Sequence, residues 1–226
     1  MIKVLDKGYV EYIDHYGSDQ RIVEAARVSY SGHSKGEEKD KKLLFYLYKN
    51  KHSSPFEQCK ITFKIKMPLF VAGQFVRHRM QNLNFQSYRY TKPQEEFYIP
   101  TEWRRQDTKN KQSSQKETNF DPLFFDTDTM RDKYASEILE AFCERSYRIY
   151  NQMIDNGIAR EMARMILPQN LYTTCYSCWD LSNLLKFIYL RDESHAQYEI
   201  QEYARAMKAI VAENFPWTME AYEKFS

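Results

Sequence analysis

Apolar and polar side chains alternate along this chain with two different periods, and the switches between them mark out its elements. Residues 1 to 16 alternate with period two around Asp6-Lys7-Gly8, which predicts a hairpin. From Ser18 the period lengthens, with Ile22, Val23 and Ala26 on one helical face and Asp19 in the first turn. A second helix is predicted over Glu37 to Asn50, turning Leu43, Leu44, Leu47 and Tyr48 inward. Ser54-Pro55-Phe56-Glu57 has the S-x-x-E form with proline at the first helical position, a capping-box start for a short helix. Cys59 to Met67 is the clearest strand, because Ile61, Phe63, Ile65 and Met67 alternate with Lys60, Thr62, Lys64 and Lys66. Pro68 opens a helix through Leu69, Phe70, Ala72, Phe75 and Val76 that is expected to run into Arg77-His78-Arg79.

Further along, a strand pair is expected at Ser87 to Thr91 and Phe97 to Ile99, followed at 101–122 by a polar stretch nearly free of aliphatics that reads as a mobile loop or lid. An amphipathic helix is predicted from about Met130 to Asn156, with Leu139, Phe142, Cys143, Ile149, Tyr150, Met153 and Ile154 as its stripe and Gly157 as its stop. A shorter helix, Ala159 to Leu167, is ended by Pro168. An extended stretch then leads to Trp179, and Asp180 caps a helix through Arg191. A last helix carries Ile200, Tyr203, Met207, Ile210 and Val211. No internal repeat is visible. The sum is an α+β fold, with a small, partly antiparallel sheet flanked by helices, built as one domain over residues 1–226.

Composition narrows what such a domain can do. Six glycines and seven prolines in 226 residues are about half the usual share of roughly 12%. The glycines nowhere form G-x-G-x-x-G or G-x-x-x-x-G-K, which excludes a Rossmann fingerprint and a P-loop. Any phosphate must be held without a glycine cradle. The formal net charge is +2, which argues against a general polyanion binder. No apolar run approaches a membrane span, and the first residues lack the apolar region of a signal peptide, so a cytoplasmic protein is expected. Four scattered cysteines do not make a disulfide scaffold. Cys175-x-x-Cys178 has neither a second pair nor a histidine partner, so inert thiols and no metal site are expected.

Charge does gather in one place. From Arg77 to Tyr90 the chain holds Arg77, His78, Arg79, Gln81, Asn82, Asn84, Gln86, Ser87 and Arg89, and no carboxylate. That inventory supplies charge-assisted donors for an anion. Read without context it is also what a solvated basic helix end looks like.

The segment resembles the signature of the flavin-dependent thymidylate synthases, R-H-R-x-x-S-x-N-x-x-S-x-R-Y, with Arg77, His78, Arg79, Asn84, Ser87, Arg89 and Tyr90 in place and Asn82 where the family usually has serine. The likeness continues in order through Ala25-Ala26-Arg27-Val28-Ser29, His52-Ser53-Ser54-Pro55-Phe56-Glu57, Phe97-Tyr98-Ile99-Pro100, Ala163-Arg164-Met165-Ile166-Leu167-Pro168, Leu190-Arg191 and Ser194-His195-Ala196-Gln197. The stretch 101–122 is not covered.

The resemblance implies reductive methylation of dUMP to dTMP, with methylenetetrahydrofolate as carbon donor, FAD as redox carrier and NADPH as reductant, in a homotetramer whose sites are shared between subunits. Around dUMP it implies Gln74, Arg77, Phe85, Gln86, Ser87, Tyr88, Arg89 and Arg164. Around FAD it implies Ser54, Arg77, His78, Arg79, Asn84, Asp180, Ser182 and Lys186, with His52 near the folate or ring. Asp180 and Lys186 stand where many relatives have Asn or His, and Asp180 also reads as a plain helix cap. Arg191 matches the residue credited with activating the pyrimidine; a cation against O2 and N3 stabilises negative charge on the ring and makes C5 a better nucleophile. No cysteine lies in the basic segment, so no enzyme nucleophile on the pyrimidine is expected, and Ser87 is expected to be a positioning donor. Phe85, where relatives often carry Glu, together with Asn82 keeps open a related C5 modification such as hydroxymethylation, or dCMP as substrate. A nucleic-acid-binding surface built on the arginines with Tyr88 and Tyr90 is a more distant reading.

Overall fold

In the computed structural model, which describes every residue except 31, 112–113 and 117–119, the alternating segments assemble into one antiparallel sheet. Strand β1 (Ile2–Val4) turns at residues 5–7 into β2 (Gly8–Tyr16). Gly8 is required there by close approach: a Cβ would lie 2.7 Å from the Val4 carbonyl oxygen and 2.9 Å from that of Lys66. Helix α1 (Asp19–Arg27) starts at Ser18, whose hydroxyl accepts from the Arg21 amide. Asp19 instead reaches across the fold to cap the C-terminal helix, accepting from the amides of Trp217 and Thr218 and from the Thr218 hydroxyl. Helix α2 (Glu37–Lys49) follows as expected.

The capping box at Ser54 does not form. The segment makes a single 3-10 turn over Phe56–Gln58, and the carbonyl of Ser53 accepts from Phe56 and Glu57 in place of any side chain. Strand β3 (Lys60–Pro68) buries Ile61, Phe63, Ile65 and Met67 completely. Helix α3 (Leu69–Phe75) stops short of Arg77-His78-Arg79, which form a turn. Strand β4 is then Gln81–Phe85, inside the basic segment and not at 87–91, which is itself a turn. Residues 97–99 contribute only an isolated bridge from Phe97 to Leu171. The sequence pattern missed β4 because Leu83 and Phe85 are its only apolar residues and asparagine is disfavoured in strands.

The polar stretch holds strands. Within it β5 (Arg104–Gln106) pairs with β6 (Ser114–Lys116), while 112–113 and 117–119 lie outside the described residues. Strands β7 (Leu123–Asp126) and β8 (Arg131–Tyr134) form a second ribbon, so α4 (Ala135–Asp155) begins later than periodicity implied. Its buried face carries Cys143, Ser146, Tyr147 and Tyr150; Phe142 is off that face and 55% exposed. Gly157, at φ +85°, takes the left-handed position that ends the helix. A short α5 (Arg160–Ala163) and a 3-10 turn lead to β9 (Tyr172–Asp180). The stretch expected only to be extended is therefore a sheet strand inserted between β3 and β4.

Sheet order is β1-β2-β3-β9-β4, with every ladder antiparallel. One face packs under α1, α2, α3, α6 (Leu181–Arg191), α7 (Tyr198–Asn214) and α8 (Pro216–Phe225) around Phe63, Phe75, Trp179, Phe187 and Tyr203. The C-terminal region thus holds two helices, separated at Phe215-Pro216, where one was expected. A second core joins α4 and α5 to Tyr88, Phe97, Leu167 and Leu171. Among the described residues no helix is long and apolar enough to cross a membrane.

Candidate active site

Antiparallel order puts the end of α6 beside the turn that follows α3, and two expected site residues meet there. Arg191, in the last turn of α6 where a cation suits the helix dipole, donates its Nε–H to His78 Nε2 at 2.9 Å. The imidazole packs edge-on against Phe187, with centroids 4.8 Å apart, and lies 6.5 Å from Trp179. Burial, then the neighbouring guanidinium, pushes its pKa down to about 4. His78 is therefore a neutral acceptor at Nε2 and carries its proton on Nδ1. Neither Nη group of Arg191 has a hydrogen-bond partner among the described residues.

Gln81, read in the sequence only as one more donor of the basic segment, fixes this turn. Its Nε2 donates to the carbonyls of Phe75, at 3.0 Å, and His78, at 2.8 Å. Its Oε1 accepts from the fully buried Ser177 hydroxyl at 2.8 Å. The turn is pinned through β4 to the neighbouring strand β9. Along β4, Leu83 and Phe85 pack on the core, whereas Asn82 and Asn84 face outward. Arg77 and Arg79 are exposed and have no ion-pair partner among the described residues.

The other expected residues fall into three groups. His52, Ser182 and Lys186 line one groove of about 530 Å³ between the 48–56 segment and α6, walled by Tyr48, Phe56, Leu185 and Tyr189. Phe85, Asn84 and Gln86 line a cavity of about 540 Å³ on the polar face of the sheet, with Lys64, Lys66 and Tyr176 opposite. Arg89 pairs with Glu161 at 3.2 Å, and Arg164 Nε donates to the Glu161 carbonyl at 3.3 Å, so these two arginines share one rim. Ser87 closes the adjacent turn: its carbonyl accepts from the Tyr90 and Thr91 amides and its hydroxyl from the Arg89 amide at 3.4 Å.

Three expected residues have surroundings of their own. Tyr88 lies in the second core with its hydroxyl donated to the Tyr172 carbonyl, and it also lines the cavity of Phe85 and Gln86. Asp180 is the cap of α6, its two oxygens accepting from the amide and side chain of Asn183 at 2.9 and 2.7 Å. Ser54 is exposed and outside the groove formed by its neighbours. Cys175 and Cys178, three apart on β9, take opposite faces of the sheet: Cys175 is buried, its thiol pushed up to about 12 by burial, and Cys178 faces the polar side. The pair can neither bridge nor chelate. No cluster that could hold a metal occurs among the described residues.

Gln74 enters a chain of side chains that the sequence did not disclose. Its Nε2 donates to Gln197 Oε1; Gln197 Nε2 donates to Glu199 Oε2 at 2.8 Å; and Glu199 Oε1 accepts from Arg104 Nη2 at 2.6 Å and from the Tyr98 hydroxyl at 3.2 Å. Glu199 is 3% exposed.

The chain is similar over its length to known proteins. A family model described as thymidylate synthase complementing protein matches residues 11–217. The flavin-dependent thymidylate synthase of Thermosipho africanus is 42% identical over 224 residues, covering 99% of this chain and 94% of that protein. The enzyme of the same name from Thermus thermophilus is also 42% identical, over 99% of this chain and 78% of its own length. Among solved structures, a UMP/dUMP methylase, PolB from Streptomyces cacaoi bound with 5-Br dUMP, superposes with a TM-score of 0.84 at 29% identity, covering 99% of this chain and 98% of that one.

Proposed function

The chain belongs to the flavin-dependent thymidylate synthase family, and on that premise we propose that it methylates dUMP at C5 to give dTMP, with methylenetetrahydrofolate supplying the carbon and NADPH the electrons through FAD. The observation that carries this reading is the Arg191–His78 pair beside a carboxylate-free arginine cluster. A guanidinium held through Nε by a neutral imidazole keeps its full charge and points two Nη donors at one place. Against O2 of a uracil, on the N3 side of the ring, they stabilise negative charge on the ring, and C5 becomes the attacking carbon. C5 bonds to the methylene carbon of the folate and its proton is lost to solvent; the bond from that carbon to the folate nitrogen breaks, releasing tetrahydrofolate, and a hydride completes the methyl group. Ser87 contributes a positioning hydroxyl, and no side-chain nucleophile is needed.

FAD, when bound, relays that hydride from NADPH. The groove holding His52, Ser182 and Lys186 fits such a group in kind: its walls are aromatic and aliphatic, and Lys186 is a cation without an ion-pair partner among the described residues. Lys186 would meet a phosphate as a point charge, and Tyr48 and Tyr189 would flank a ring. Arg89 and Arg164 would take the nucleotide phosphate, with Arg77 and Arg79 serving dUMP and the flavin.

Separation of these groups on one chain supports a site shared between subunits of a homotetramer. So does the run Leu123, Phe124 and Phe125, each more than half exposed on its ribbon. One domain over 1–226, with 101–122 as a lid, completes the proposal.

Purified protein should be yellow, and light scattering should give a tetramer. Incubation with dUMP, methylenetetrahydrofolate and NADPH should yield a product heavier by one CH2, a methyl group in place of the C5 hydrogen. UMP and dCMP assayed alongside test the substrate range, since the PolB neighbour is named for UMP as well, and a hydroxymethyl mass would reveal the other C5 chemistry. Arg191→Ala should lose at least a hundredfold in kcat while retaining flavin. Equal loss of turnover and flavin would make Arg191 structural, and a colourless tetramer that FAD cannot reconstitute would overturn the function.

A further inference from the structure

We propose that Glu199 and Gln197 are positioning residues that set the orientation of the Gln74 side-chain amide, turning its carbonyl oxygen toward the nucleotide as an acceptor for a donor on the nucleoside rather than a ligand for the phosphate. This rests on the reading of the site as a dUMP site.

The direction of the chain of hydrogen bonds follows from its charged end. Paired with Arg104 at 2.6 Å, the buried Glu199 carboxylate offers acceptors only. Gln197 must therefore give it the NH2 end of its amide, which is the observed 2.8 Å contact. The reverse orientation would set an amide oxygen against a carboxylate oxygen. With its NH2 committed inward, Gln197 presents Oε1 to Gln74, and Gln74 answers with its own Nε2. Its Oε1 is left without a partner among the described residues. An amide that could turn either way in isolation is thus fixed by a charge two side chains away.

A carbonyl oxygen can serve a donor only. The phosphate of dUMP at neutral pH has none, whereas the nucleoside has two, the ring N3–H and the sugar 3′-hydroxyl. Gln74 therefore addresses the nucleoside and leaves the phosphate to the arginines. Arg104 comes from the β5–β6 ribbon, so the polar stretch takes part in this alignment through a side chain 18% exposed.

The test is a double-mutant cycle on the flavin-loaded tetramer, reading the Kd of dUMP from the change in flavin absorbance. Gln74→Leu should weaken dUMP about tenfold and Gln197→Met about fivefold, while the double variant should be no weaker than Gln74→Leu. In both single variants KM for dUMP should rise with kcat at saturation nearly unchanged. Two probes identify the donor: 2′,3′-dideoxyuridine monophosphate lacks the hydroxyl, and N3-methyl-dUMP lacks the ring N–H. Against one of them Gln74→Leu and wild type should bind equally. Multiplicative loss, about fiftyfold in the double variant, would overturn the relay. A tenfold difference retained with both probes would overturn the acceptor role, and needs only the half-buried Gln74 variant to fold. A wild-type tetramer that binds flavin but no dUMP would overturn the functional reading itself, and the nucleotide assignment of Gln74 with it.

Discussion

Replacing His78 by glutamine isolates the electrostatics of the arginine–histidine pair, because the amide oxygen can still accept from Arg191 Nε but cannot titrate. In the native site burial and the guanidinium move the imidazole from 6.5 to about 4. Above pH 6.5 the ring is neutral in both folded and unfolded chains and contributes no pH dependence. As pH falls from 6.5 toward 4, the unfolded chain takes up a proton that the native site refuses, so stability is lost; below 4 both states hold the proton and the loss levels off. At 1.36 kcal/mol per unit, and trimmed for solvent at a partly open site, the loss from pH 7 to pH 4.5 is about 2 kcal/mol. Urea unfolding at those two pH values should show wild type losing that much more than His78→Gln. Carbon-13 NMR of labelled histidine should place the His78 titration far below those of exposed rings. Arg191→Met should raise it, yet leave it under 6.5, because burial is the larger cause. A resonance titrating near 6.5 in wild type, or the same acid loss in both proteins, would refute the neutral-acceptor assignment.

Three further outcomes follow from packing. Gly8→Ala should cost about 2 kcal/mol or more in unfolding free energy, since two backbone oxygens stand within 2.9 Å of the new Cβ; an unchanged Tm would mean the hairpin yields freely. Asp19→Ala strips three donors at the start of α8 of their acceptor and should cost about 2–4 kcal/mol, read by chemical denaturation, with a loss under about 0.5 kcal/mol contradicting the cap. Cys175→Ala with Cys178→Ala should keep turnover at a stability cost of about 1 kcal/mol, and a folded but inactive double variant would contradict a mechanism without an enzyme thiol.

Legibility in the sequence followed the strength of local pattern. Strand β3, with four apolar residues alternating against lysines and threonine, and the helices started by Ser18 and Asp180 could be read directly, because side-chain period and capping chemistry are local. The motif from Arg77 to Tyr90 was legible as an anion-binding inventory, and its likeness to a known signature pointed to the family. What that motif does in space was not legible. Its middle became an edge strand because β9, an unremarkable stretch by pattern, lies between it and β3 and supplies the ladder.

Tertiary placement also decided which side chains are free to act. Tyr88 matches a site position by sequence, yet a core claims its hydroxyl. Gln81 was legible only as a donor and Gln197 only as the end of a family block, while Glu199 carried no local signal; their bonds to the turn, to one another and to Arg104 come from packing. Residue types and their order determined by themselves which chemistry the chain can support, since charge and hydrogen-bonding capacity belong to side chains. Which groups stay exposed, which stay neutral and which way an amide points was decided only by packing, because burial and partners distant in sequence set those properties.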